Sequence, residues 1–103
     1  MEIYGKKCGF FLSVGAKDAI SRLDNKLSVY MRTAACAVIL NEQYNKRQRF
    51  LGEEAPEDLT LEQVLSLDEK AFNALCEEMS KAIEDGDAVT VEAEEDKKKE
   101  SKK

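Results

Sequence analysis

Three cysteines, Cys8, Cys36 and Cys76, and two carboxylate pairs, Glu53–Glu54 and Glu77–Glu78, are the side chains whose types could do chemistry. The cysteines lie 28 and 40 residues apart with no CxxC pair, and the chain holds no histidine. Four thiolate or imidazole ligands therefore cannot be gathered for a structural zinc site. The missing imidazole also excludes Ser-His-Asp and Cys-His catalysis and removes the usual proton carrier near neutral pH. Acid–base work by a carboxylate pair needs one member raised in pKa by burial, whereas both pairs sit in polar stretches and read as solvated surface. An odd number of cysteines, each flanked by core-type residues, suits a reducing compartment in which they pack as small hydrophobes. The sequence assigns no catalytic, cofactor-binding or metal-ligating residue, and a non-enzymatic binding module is the expectation.

Phosphate recognition has equally little to build on. There is no GxxxxGK[ST] loop and no GxGxxG; Gly5 and Gly9 enclose two lysines in what reads as turn chemistry. Residues 1–51 hold nine Lys/Arg against four Asp/Glu, and residues 52–103 hold seven against seventeen. A small domain can neutralise such halves internally, so the run Lys46-Arg47-Gln48-Arg49 is read first as partner to the acidic connector a few residues on. The runner-up reading is a small nucleic-acid-binding or regulatory module that uses this run, although the acidic half makes nucleic acid an improbable partner.

The elements that must position any site follow from length and pattern. A chain of 103 residues, 43% hydrophobic and 36% charged, reads as one domain that buries roughly 60–65% of its unfolded surface, too little for a large enclosed site. The longest apolar stretch, Val29 to Leu40, is 12 residues and contains Arg32, short of a membrane span. No signal-peptide core follows Lys6 and Lys7, so a cytoplasmic protein with no membrane partner is expected.

The fold expected is α+β and mostly α. Glu2 to Leu12 reads as a β-hairpin turning at Gly5-Lys6, with Ile3, Phe10 and Leu12 on the face that helices must cover. Ala16, Ala19, Ile20, Leu23 and Leu27 recur at helical steps after Ser13 as N-cap. Ser28 caps a longer helix to about Phe50 or Leu51, buried nearly all round over Val29–Leu40 and protruding over its polar second half, with Gly52 as the residue that ends it. Thr60 to Gln63 matches a capping box opening a short helix, and Asp68 caps the next, which carries Phe72, Leu75, Cys76, Met79, Ala82 and Ile83 on one face and ends at Asp85-Gly86. The result is a bundle of about four helices under the hairpin, with a candidate short strand at Ala88–Val91 and one globular domain over 1–91. Residues 92–103 are charged apart from Ala93 and Ser101 and read as a disordered, solvated tail.

Tyr44, Phe50 and Leu51 are the candidate partner-binding residues, because these large apolar groups follow the end of the apolar stretch and precede an acidic loop. Periodicity serves equally well if they cap the core against the last helix.

The order of features carries a resemblance. Ile3-Tyr4-Gly5-Lys6-Lys7-Cys8-Gly9-Phe10, then Ser13-Val14-Gly15-Ala16 into a helix, Ile39-Leu40-Asn41-Glu42-Gln43-Tyr44, the Pro56 loop, Leu61 to Asp68 and the charged tail resemble the small tail assembly chaperones of long-tailed, siphovirus-like bacteriophages and prophages, over residues 1–91. The resemblance implies a non-enzymatic protein of the bacterial host cytoplasm, without cofactors and absent from the finished virion. It would bind the tape measure protein and help recruit tail tube protein, with self-association as a further implied partner mode. No functional residue carries over from the resemblance.

Overall fold

The computed structural model describes residues 1–102, with side chains described from Met1 to Gly86. Element order is β1 (Glu2–Ile3), β2 (Lys6–Lys7), α1 (Val14–Ser21), α2 (Val29–Phe50), α3 (Leu61–Leu65) and α4 (Glu69–Lys102). The expected hairpin on four helices is the fold observed.

β1 and β2 pair antiparallel with Glu2 opposite Lys7 and Ile3 opposite Lys6. This register puts Tyr4 and Gly5, not Gly5-Lys6, at the turn. Both have positive φ, 49° and 78°, as a type I′ hairpin turn requires. Glycine meets that demand without strain; Tyr4 meets it while its hydroxyl donates to Ser66 O at 2.9 Å, tying the hairpin tip to the end of α3. The ladder extends one pair further, with Cys8 N donating to Met1 O at 2.7 Å and the terminal ammonium to Cys8 O at 3.1 Å. Phe10 and Leu12 lie beyond the strands. They still pack on the core, as irregular backbone rather than as a β face.

Every helix start is held by a side chain. Ser13 Oγ accepts from Ala16 N and Ser28 Oγ from Met31 N, at 3.0 and 3.1 Å. Thr60 and Gln63 form the reciprocal capping box, and Asp68 Oδ1 accepts from Ala71 N at 2.8 Å. Gly52, at φ 81°, stops α2 with Glu53 N donating back to Gln48 O at 2.8 Å.

The spine is α2, which α1, α3 and α4 all contact. Its buried residues are Ala34, Ala37, Leu40, Asn41 and Asn45, so burial follows a stripe and crosses the boundary between the apolar and polar halves. This corrects two expectations. Val29 and Tyr30 are largely exposed, and the polar second half is anchored, because Asn41 binds backbone of Gly9 and Leu59 and Asn45 binds the Asp58 side chain. The core is completed by Ile3, Cys8, Ala16, Leu59, Val64, Leu75 and Met79.

α4 runs on through Gly86 instead of ending there. A methyl on Gly86 would come within 2.8 Å of Leu12 Cβ, so this glycine admits a close neighbour to the helix. Helical backbone replaces the strand expected at Ala88–Val91 and continues over the residues read as a disordered tail.

Candidate partner-binding surfaces

Chemistry first has to be sought at the thiols. Cys8 is buried and Cys36 and Cys76 partly so; all three are free. Burial pushes each thiol above its ordinary value, and for Cys8 this outweighs the opposing pull of the terminal ammonium and Lys6. Thiols held protonated in this way are packing groups rather than nucleophiles at neutral pH. Among the described residues no group of three or more His, Cys, Asp or Glu is arranged to hold a metal, and no helix is long and apolar enough to cross a membrane.

The basic run is largely occupied. Lys46 pairs with Glu42 on its own helix at 3.0 Å, and the Arg47 guanidinium lies 4.8 Å from the centre of the Phe11 ring. Arg49 reaches Asp58 at 3.9 Å and donates to Pro56 O at 3.5 Å, the pairing with the acidic connector that the spacing suggested. Lys6 adds a second tie to the connector through Glu57, at 3.7 Å.

The three sequence-derived candidates separate. Phe50 is 86% and Leu51 59% exposed at the end of α2, where together they form an apolar knob. Tyr44 is half-buried, with its ring against Gly9 and its hydroxyl accepting from Gln48 Nε2 at 3.3 Å, and so belongs to the scaffold.

Two apolar grooves were not foreseen. The first, about 520 Å³, lies among the start of α2, α3 and the start of α4 and is lined by Val29, Tyr30, Leu65, Leu67 and Phe72. Tyr30 and Phe72 line it as a tilted ring pair with centroids 5.8 Å apart. The second, about 530 Å³, runs between Phe10–Val14 and α4 at Ala82–Gly86, with Val14 86% exposed at its edge. A signal existed for the first: Tyr30 precedes Ala34, Ala37 and Asn41 on one helical stripe, so the buried face of α2 begins a turn outside its cover.

Also unforeseen is the polar clamp that shapes these surfaces. Asn41 Nδ2 donates to Gly9 O at 2.9 Å, while its Oδ1 accepts from Leu59 N at 2.7 Å. Asn45 Nδ2 donates to Asp58 Oδ1 at 2.8 Å and lies 3.4 Å from Asn41 Oδ1. Asn45 Oδ1 is the single buried side-chain polar atom without a partner among the described residues. Together with the bond from Ser13 Oγ to Gln43 Oε1 at 2.8 Å, these contacts fix both the amino-terminal segment and the connector to α2.

Comparison with family models, with curated proteins and with solved structures gives no match.

Proposed function

We propose that this protein is a tail assembly chaperone of a long-tailed bacteriophage or prophage, acting without catalysis in the host cytoplasm. On this reading it binds helical segments of the tape measure protein, helps recruit tail tube subunits, and is left out of the finished virion. The observation that carries the reading is that exposed apolar side chains lie together, in the Phe50–Leu51 knob and along the two grooves. Helical partners suit such grooves because a helix satisfies its own backbone bonds and offers only side chains for burial. The resemblance of the sequence layout to the tail assembly chaperones is what points to the tape measure protein as the partner. Engagement of the basic run with Glu42, Phe11 and Asp58 weighs against the nucleic-acid alternative.

The test is retention of the long helical product of a neighbouring gene by the purified protein. Retention in moderate salt, lost in Val14→Asp at the edge of the second groove, supports the chaperone reading. Retention of nucleic acid alone, washed off as salt rises, overturns it.

A further inference from the structure

We infer that Cys36 and Cys76 form a binding site for a soft monovalent metal ion of the cuprous class, with the Met79 thioether as a third donor. The inference rests on the cleft between α2 and α4 and not on the tail-assembly reading.

The three sulfur side chains line one cleft of about 290 Å³. Cys36 comes from α2, whereas Cys76 and Met79 stand three residues apart on α4 and so share a helical face. One turn before Cys76 on that helix, Phe72 meets Tyr30 of α2, a contact that holds the two helices together beside the cleft. Both thiols are free and only partly buried, so an ion reaches them from solvent. Cys8 lies elsewhere, buried at the hairpin with its thiol donating to Lys6 O at 3.7 Å.

The donor set selects the ion. Thiolate and thioether sulfur are soft ligands, the chain has no histidine, and among the described residues no carboxylate lines the cleft. Calcium and magnesium need oxygen ligands, and structural zinc needs four donors where this cleft offers two thiolates. A cuprous ion is satisfied by two or three sulfurs.

Charge agrees with a monovalent ion. Burial holds the protons on both thiols, and a coordinated metal displaces them outright. Binding therefore releases two protons to water and leaves a dithiolate complex of charge −1. The Arg32 guanidinium lines the same cleft and brings the sum to zero, the state favoured where water is partly excluded. Arg32 is restrained by donating to Asn25 Oδ1 at 3.2 Å. A divalent ion on the same donors would leave a positive excess.

Anaerobic titration of the reduced full chain with cuprous ion delivered as its bicinchoninate complex tests this. The expected result is transfer of one ion per chain, with Cys8→Ser matching wild type. Cys36→Ser and Cys76→Ser should each bind at least about a hundredfold more weakly, since losing a donor costs no less than losing a group that orients one. Met79→Leu keeps the packing volume and should weaken binding by less than either serine substitution. Iodoacetamide mapping of the wild-type chain needs no variant: one equivalent of the ion should protect Cys36 and Cys76 together. Should a serine variant lose its circular dichroism, that protection decides the matter. An ion that stays with bicinchoninate, affinity unchanged by either single serine substitution, or protection of only one of the two cysteines overturns the proposal. None of these outcomes alters retention of a tape measure product by the metal-free protein, so the two readings fail separately.

Discussion

The ring of Tyr44 occupies the space that a side chain on residue 9 would need, so Gly9 lets the segment after the hairpin lie directly against α2. A Cβ at Gly9 falls inside van der Waals contact with three ring atoms, and the aromatic ring cannot yield as a flexible chain end would. Gly9→Ala should therefore cost about 1–3 kcal/mol in urea unfolding, as overpacking does. In a Tyr44→Ala background the same change should cost less than half as much, the coupling expected of residues in contact.

Asn41 is 1% exposed and holds both Gly9 O and Leu59 N. Asn41→Ala leaves the partly buried Gly9 O and the buried Leu59 N without this partner, and a loss of about 2–4 kcal/mol is expected. Thermal unfolding monitored by circular dichroism measures it; a loss below the cost of one hydrogen bond would mean that the clamp is not closed in solution.

Phe50 and Tyr44 should respond oppositely to charge. Phe50→Glu alters a side chain that touches little and should stay within about 0.5 kcal/mol of wild type. Tyr44→Glu places a carboxylate against Gly9 and should cost about 2 kcal/mol or more. Parallel denaturation of the two variants separates the knob from the scaffold.

Alkaline pH should weaken the fold through Cys8. Its folded thiol pKa is raised above the ordinary 9.0, so the folded state holds its proton more tightly than the unfolded one. Below pH 9.0 both states are protonated and stability is unaffected by this group; above it stability falls until the pH passes the folded value. Cys8→Ala should flatten that decline while lowering stability at neutral pH by the packing it removes. Urea midpoints between pH 7 and pH 11 report both effects.

The parts of this fold legible in the sequence are those governed by neighbours within four residues. Ser13, Ser28, Thr60 with Gln63, Asp68 and Gly52 each do what their local spacing predicts, because a cap's partner lies in the next turn of chain. Asn41 and Asn45 fall in the half of α2 expected to protrude, because their partners lie 13–32 residues away and leave no periodic trace. The same limit applied to the candidate site. Phe50 and Leu51 were legible as exposed groups after a helix end, whereas Tyr44 could not be told from them until Gly9 was placed beside it. Gly86 misled for a related reason: a glycine near the end of an apolar stripe is a stop signal locally, and only Leu12 explains it as a close approach.

The attachment of residues 9–11 to α2 also orders events in time. Gly9 O is bound by the Asn41 side chain and Phe11 N by Leu40 O, both of them on α2. Both bonds require Leu40 and Asn41 to be presented on a formed helix, and closing a loop of about thirty residues before that helix exists gains nothing to offset its entropy. Residues 9–11 are therefore among the last to acquire their place, and until α2 has formed they stay available to proteases and to other proteins.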